Sequence, residues 1–354
     1  MRQLHDHKSH PIGRLFRTTA LWLLPAALAV TDSRLIAHKP TTQVTWTTDV
    51  APILQRRCVG CHTTNGFGPI DLTTYEAAKR EATAIREAVL ERRMPPWPGA
   101  RGFGDFSNDR SLTPIEIELI ASWADGGAPI GPTPADRPRT ERRNRSPDLV
   151  LTLPADHMVR ATSERVELST GLDGKRWIAG WAFLPDNRSL VEQAVLTADD
   201  DAPIGSWTPP EPAVMYPPAV ALELPSGSPI RLLLRYRKVV TPQPDRSRVA
   251  LYFTSKPQQA LQHRLLRCGT NAIDRDIEAL AVTPRATAAG ESIEVVARRP
   301  DRSVDPLVVV PRYQPVYPIG YRFRSPIRLS RGSSIVVRSS SGDCDAALAF
   351  TLHH

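Results

Sequence analysis

The sequence predicts a chain of two unlike parts, a small all-α domain followed by an all-β antiparallel sandwich. Over residues 44–131, hydrophobic residues recur at helical spacing between Gly- and Pro-rich loops. Over residues 147–354, short β-rich runs recur between turns, which favours antiparallel strands over a βαβ fold. A length of 354 residues allows two domains, and 41% hydrophobic and 23% charged residues are typical of a folded protein.

The N-terminal residues 1–29 have the pattern of an export signal. Basic residues, including Arg14, precede an apolar run over 19–30, which is shorter than the ~20 residues that a membrane span needs. Ala27 and Ala29 provide the small residues that a cleavage site requires. We therefore expect a periplasmic or otherwise exported protein. The alternative is an uncleaved anchor, which would attach the protein to a membrane through this segment alone.

The excess of basic residues does not indicate nucleic-acid binding. The formal net charge is +8, but the positive residues are scattered, except for a cluster over 137–145. No aromatic residues are interleaved with that cluster, as they are in a nucleic-acid platform. The cluster belongs to residues 132–146, where prolines and an almost complete lack of apolar residues predict a linker. We expect no nucleic-acid partner.

Helices are predicted in the first part from apolar spacing and from capping residues. The predicted helices span 49–57, 75–93 and 113–126. The third begins at an N-cap threonine, Thr113, because proline follows it and Glu116 comes three residues later. It ends at Gly126-Gly127.

Cys58, Cys61 and His62 form the attachment signature of a c-type haem. One turn of helix would place both thiols on the same side of the porphyrin, where they bind its two vinyl groups, and His62 would supply the proximal iron ligand. Two alternatives remain. A thioredoxin-like pair usually follows a strand and opens a long helix. A zinc half-site needs a second ligand pair, which Cys268 and Cys344 do not form. The sequence predicts one covalent haem c.

Met94 is the candidate for the sixth iron ligand by elimination. Residues 44–131 contain no histidine other than His62 and no methionine other than Met94. The two prolines that follow Met94 would stiffen its loop while the thioether reaches the iron. The alternative is a core methionine with an open or water-ligated iron. Trp97 and Trp123 are interpreted as packing around the porphyrin edge.

Residues 44–131 resemble a cytochrome c domain that occurs in multidomain bacterial exported proteins. The shared motifs occur in order: CxxCH at 58–62, MPPWP at 94–98 and WxxxGAP at 123–129. The resemblance implies a covalent haem with His62 and Met94 as axial ligands. It also implies electron transfer through that haem.

Residues 147–354 resemble the ascorbate-dependent type II copper monooxygenases, such as peptidylglycine hydroxylase. The resemblance is carried by segments such as KRWIAGWAFLPDNRSLVEQAVL and PIRLLLRYRKVVTPQPDRSRVALYF. It implies a pair of jelly-roll-like β-sandwich subdomains, each of which supplies copper ligands in that family.

The copper ligands of that family are replaced in this chain. Where the family has its three histidine motifs, the residues are Glu192, Gln193, Arg235, Arg237, Arg285 and Thr287. The histidines after the linker are His157, His263, His353 and His354. Arginine stays protonated and cannot bind a metal. We therefore expect a copper-free sandwich. Arg235 and Arg237 form either an anion site or a solvated face paired with carboxylates.

The remaining cysteines, Cys268 and Cys344, are expected to form a disulfide, because an exported protein meets an oxidising compartment. The alternative is two buried free thiols.

The expected function is electron transfer between redox proteins that the sequence does not name. The chain would then be a carrier with no catalytic residue, and its sandwich would bind a partner or ligand. Two alternatives are a haem-fed monooxygenase and a docking module in which the haem only stabilises the fold.

Overall fold

The described part of the chain contains twenty β-strands and four α-helices. The structure is a computed structural model that describes residues 43–132, 145–198, 203–255, 257–315 and 318–353. These residues all belong to one compact unit, Pro40–His354. The signal segment predicted for 1–29 and most of the linker predicted for 132–146 lie outside the described residues. The domain boundaries at 44–131 and 147–354 stay predictions.

Short helices and loops form the first part of the described chain. A π-helical turn, Trp46–Val50, leads directly into the first α-helix. The α-helices are α1 (Ala51–Arg57), α2 (Tyr75–Arg80), α3 (Ala82–Leu90) and α4 (Pro114–Asp125). Their apolar faces meet in a small core that includes the fully buried Leu54, Ile120 and Trp123.

The predicted cap of the last helix is confirmed. The Thr113 hydroxyl accepts from the Glu116 N–H (3.1 Å), and the Glu116 carboxylate accepts from the Thr113 N–H (2.8 Å).

The single helix predicted for 75–93 is wrong. The chain forms α2 and α3 instead, because Glu81 between them leaves helical geometry with a ψ of 8°.

The first β-sandwich encloses one core between two main sheets. Its strands are β1 (Leu149–Thr152), β2 (Met158–Val159), β3 (Ser163–Leu168), β4 (Arg176–Leu184), β5 (Val191–Thr197), β6 (Pro203–Trp207), β7 (Val214–Met215), β8 (Val220–Leu224), β9 (Ile230–Tyr236), β10 (Gln243–Pro244), β11 (Arg248–Thr254) and β12 (Gln259–Ala260). One sheet has the order β1-β11-β4-β8-β12, with β7 on β4, and the other has the order β3-β9-β5-β6. Strands β2 and β10 pair separately.

Alternation along the strands explains why these residues form a sandwich. In β9, Ile230, Leu232, Leu234 and Tyr236 are buried, whereas the residues between them are only partly buried. Successive side chains of a strand point to opposite faces, so β9 gives one apolar face to the core. All strand pairs described in this sandwich are antiparallel except β8 with β12.

The second β-sandwich is built from two four-stranded antiparallel sheets. Its strands are β13 (Gln262–Arg267), β14 (Gly269–Ala272), β15 (Ile277–Ala286), β16 (Ile293–Arg298), β17 (Val304–Val310), β18 (Tyr321–Leu329), β19 (Ser334–Ser339) and β20 (Cys344–Leu352). The sheet orders are β13-β20-β15-β18 and β14-β19-β16-β17. The predicted disulfide is confirmed: Cys268, next to the end of β13, is bonded to Cys344 at the start of β20.

The predicted fold class is wrong, although its β-sandwich part is seen. We expected a small all-α cytochrome c domain before the sandwich. The described residues are instead mostly β, and the four α-helices have only six to twelve residues. Glycine and proline at 66–69 and the prolines at 95–98 keep the segments between these helices in loops. The residues after α3 also leave the helices and join the second sandwich.

That connection is made by residues 97–110, which we call the strap. Phe106 forms an isolated antiparallel bridge with Phe323 of β18. Its ring is buried in the core of the second sandwich, with centroids 5.1 Å from the Tyr321 ring and 5.9 Å from the Phe323 ring. The Ala100 N–H donates to the Val309 carbonyl (2.7 Å). The strap therefore attaches the helical part of the chain to the second sandwich, which is the more distant of the two sandwiches in sequence.

We expect Phe106→Leu to lower the free energy of unfolding by about 1.5 kcal/mol, because the ring contacts with its aromatic neighbours are lost. Denaturant unfolding monitored by circular dichroism measures this change. Phe103 lies on the same strap but is 44% exposed, whereas Phe106 is 4% exposed. Phe103→Leu is thus the matched control and should change stability by less than about 0.5 kcal/mol. Equal losses in both variants would contradict the role given to Phe106.

Candidate functional site

Cys58, Cys61 and His62 lie on a single backbone turn at the end of α1. We call residues 58–62 the CxxCH turn. The N–H groups of Cys61 and His62 both donate to the Cys58 carbonyl, at 3.0 and 2.9 Å. Both cysteines are free and partly buried. The structure therefore brings together three of the four residues that the sequence assigns to haem binding.

Met94, the fourth of these residues, lies just after α3. Its N–H donates to the Ala88 carbonyl (3.2 Å), so the loop leaves the helix tightly. Its side chain is 38% exposed and does not belong to the helical core. The core-methionine alternative is therefore not supported by this position, and ligation of iron by Met94 stays a prediction.

Two arginines at the end of α1 tie the CxxCH turn to the start of α4. Arg56 and Arg57 each place a guanidinium nitrogen 3.4 Å from a Glu116 carboxylate oxygen. Burial alone would raise the pKa of Glu116, but the hydrogen bond from Thr113 and the positive charge of Arg57 outweigh it and hold that pKa below its usual range. Glu116 therefore stays ionised. Its ion pairs with Arg56 and Arg57 fix the orientation of the end of α1, where Cys58 follows.

The His62 ring is oriented by the loop that follows it. Its Nδ1 lies 3.1 Å from the carbonyl oxygen of Ile70, which can only accept a hydrogen bond. Nδ1 must therefore carry the proton in this contact, and the Nε2 lone pair is left for another partner. A metal-binding histidine is commonly fixed in this way, through a hydrogen bond from its second nitrogen.

Gly68 allows this loop to close over the ring. A Cβ at position 68 would lie 2.5 Å from Nδ1 of His62, so any larger residue would displace the imidazole. The Gly68 N–H donates to the Cys61 carbonyl (2.9 Å), and the Leu72 N–H donates to the His62 carbonyl (3.0 Å). These contacts define residues 62–72 as the histidine loop.

The two thiols do not have the character of a disulfide-exchange pair. Burial raises the pKa of the Cys58 thiol to about 12, and the neighbouring Cys61 and Glu116 add to this effect. Burial also raises the pKa of Cys61, against the opposite effect of the Arg110 charge. A thioredoxin-like pair requires a lowered thiol pKa. It also usually follows a strand, whereas Cys58 follows a helix.

The CxxCH turn also contacts the first sandwich. Gly60 lies so close to the loop between β6 and β7 that a Cβ at position 60 would be 2.7 Å from the Cβ of Pro210. From the strap, Arg110 donates to the Pro209 carbonyl (2.7 Å) and pairs with Glu211 (3.3 Å), whose side chain is only 6% exposed. Replacement of Gly60 by a larger residue would therefore force the turn away from the sandwich.

The positions at which the sequence resemblance would place copper ligands hold ion pairs and hydrogen bonds instead. Arg237 lies 3.7 Å from Glu192, and Arg285 lies 2.6 Å from Asp345. Arg235 donates to the Pro315 carbonyl (3.3 Å). Among the described residues, no group of three or more His, Cys, Asp or Glu side chains is placed to hold a metal ion. The absence of copper stays a prediction.

Several residues of this site were not identified from the sequence. The Gly66-Phe67-Gly68-Pro69 run does indicate a tight loop after His62. Nothing in the sequence, however, indicates that the Ile70 carbonyl would accept a hydrogen bond from His62 or that Pro210 would face Gly60. These contacts depend on tertiary structure.

No known protein family matches the chain. No curated protein has a sequence similar enough to count as a relative. None of the helices in the described part of the chain has the length and apolar character needed to cross a membrane.

Proposed function

We propose that the chain is an exported c-type haem protein that transfers electrons between redox proteins. The observation that carries this proposal is the arrangement at His62. Its Nδ1 is tied to the Ile70 carbonyl, its Nε2 is left for a ligand, and two free thiols share its turn. These residues fit a haem that is held by two thioethers and an imidazole.

Cys58 and Cys61 would hold the haem covalently, and His62 would hold its iron. When bound, the haem supplies one-electron oxidation and reduction at iron. The chain itself supplies orientation. The hydrogen bond to the Ile70 carbonyl fixes the tautomer of His62. The Glu116 ion pairs hold the end of α1, and Pro210 packs against the CxxCH turn at Gly60. The sandwiches would present this site to a partner rather than carry out copper chemistry.

The proposal is tested on full-length protein produced in a host that attaches c-type haem. The haem should stay with the polypeptide in denaturant, and its pyridine haemochrome should have the c-type band position. Metal analysis should give one iron and no copper per chain. Haem that is extracted by acidified organic solvent would overturn the proposal. Stoichiometric copper that survives removal of His353 and His354 would instead favour the monooxygenase alternative.

If the Met94 thioether binds iron, Met94→Ala should abolish the near-infrared sulfur-to-iron band of the ferric protein. The reduction potential should fall by on the order of 0.1 V, because a thioether favours ferrous iron. Met215 is a matched control, since it is exposed to a similar extent (48% against 38%) but lies on β7. Met215→Ala should change neither quantity. An unchanged band in Met94→Ala would move the sixth ligand to another group.

A further inference from the structure

We infer that Arg237, the residue that follows β9 in the first sandwich, is a positioning residue for His62. This inference rests on the proposed function, in which His62 binds the haem iron. It assigns a role to a residue at one of the positions where the sequence resemblance would place a copper ligand. The sandwich would then act on the redox site by holding the histidine loop.

Arg237 makes two different contacts with one residue of that loop. Its Nη2 donates to the Phe67 carbonyl (2.8 Å). Its guanidinium carbon also lies 4.1 Å from the centroid of the Phe67 ring, which is within the range of a cation–π contact. A planar guanidinium can stack on a ring and donate to a carbonyl at the same time, whereas a lysine ammonium lacks this geometry.

The contact at Phe67 reaches His62 through one rigid peptide unit. The Phe67 carbonyl and the Gly68 N–H belong to the same planar peptide group. The carbonyl accepts from Arg237, and the N–H donates to the Cys61 carbonyl (2.9 Å). The next atom, Gly68 Cα, lies against the His62 ring so closely that a Cβ there would be 2.5 Å from Nδ1. Movement of this peptide group would therefore move the imidazole.

Arg237 is itself held in place by the first sandwich. Its backbone N–H donates to the Leu190 carbonyl (2.9 Å). The register between β5 and β9 shifts between Val191 and Gln193, which leaves Glu192 as an extra residue in β5. Such a bulge redirects a side chain, and the Glu192 carboxylate lies 3.7 Å from Nε of Arg237. The guanidinium is thus oriented by the sandwich on one side and by the loop on the other.

The experiment compares Arg237→Gln and Arg237→Lys with Arg235→Gln. Arg235 is a matched control because it lies two residues earlier and donates to the Pro315 carbonyl, not to the histidine loop. The first readout is hydrogen exchange at the Gly68 and Leu72 amides. We expect exchange to be faster by about tenfold or more in both Arg237 variants. Glutamine lacks the positive charge, and lysine cannot stack on the Phe67 ring and donate to the Phe67 carbonyl at the same time.

The second readout is the paramagnetic resonance and the hyperfine-shifted histidine signals of the haem-loaded ferric protein. We expect both Arg237 variants to change these signals, and Arg235→Gln to leave them as in the wild type. A change in Arg237→Gln but not in Arg237→Lys would show that charge alone matters and would overturn a positioning role. Unchanged exchange and spectra in both Arg237 variants would also overturn it.

The two readouts separate failure of this inference from failure of the proposed function. Amide exchange in the histidine loop does not require haem. If the wild type carries no covalent haem but the Arg237 variants loosen the loop, the proposed function fails and Arg237 still positions His62. If the haem is covalent and the loop is unaffected, only the inference about Arg237 fails.

Discussion

We expect the Cys58→Ala, Cys61→Ala double variant to lack the covalent haem that we propose for the wild type. The thiols are free and lie on one turn, and no other free thiol is present, because the remaining cysteines form the Cys268–Cys344 disulfide. Each single variant should keep at most one thioether, and its haem should be weakly held. Haem staining after denaturing electrophoresis and intact-mass measurement will show whether the haem remains attached.

The control for this prediction is the Cys268→Ser, Cys344→Ser double variant, which changes the same number of cysteines. It should keep full covalent haem if it is examined at a temperature where it stays folded. Haem that remains attached after loss of both Cys58 and Cys61 would exclude a c-type site. If neither double variant carries haem, the loss of haem results from impaired folding and not from removal of the thiols that attach it.

The same serine pair will strongly destabilise the second sandwich. The disulfide closes a loop with a sequence separation of 76 residues. On the chain-entropy model, a loop of this size stabilises the folded state by roughly 4 kcal/mol, because the unfolded chain loses freedom. We expect the free energy of unfolding of the second sandwich to fall by about that amount, as measured by guanidinium denaturation.

Reductant provides the matched comparison for this prediction. Dithiothreitol should destabilise the wild type toward the level of the serine pair and should not destabilise the serine pair further. The Cys58→Ala, Cys61→Ala variant, measured without haem against haem-free wild type, should respond to reductant as the wild type does. A fall of less than about 1 kcal/mol in the serine pair would contradict the entropic contribution.

The sandwiches could be predicted from the sequence because their signal is local. In β9, each buried residue alternates with a less buried one, and this pattern is visible in IRLLLRY without any structure. The cap of α4 is also local, since Thr113 and Glu116 are three residues apart. The first part was misassigned for a related reason. Helical spacing predicts helices, but it does not show where Glu81 interrupts one or where the strap departs.

The candidate site divides in the same way. The CxxCH turn follows from the spacing of three residues, and the structure places them on one turn. The residues that support it come from far along the chain. Arg237 is separated from Phe67 by 170 positions, and Arg110 is separated from Pro209 by 99. A single sequence contains no information that pairs such positions, because their proximity arises only when the sandwich and the loop fold together.

The strap has a consequence for the order in which the protein assembles. The hydrogen bond between Ser107 and Arg322 joins positions 215 residues apart, so the strap has no binding site until β18 has been made. Contacts of such long range form late in folding, because the intervening chain must first be ordered. During synthesis, the first part of the chain is therefore made before the strand that supports the strap.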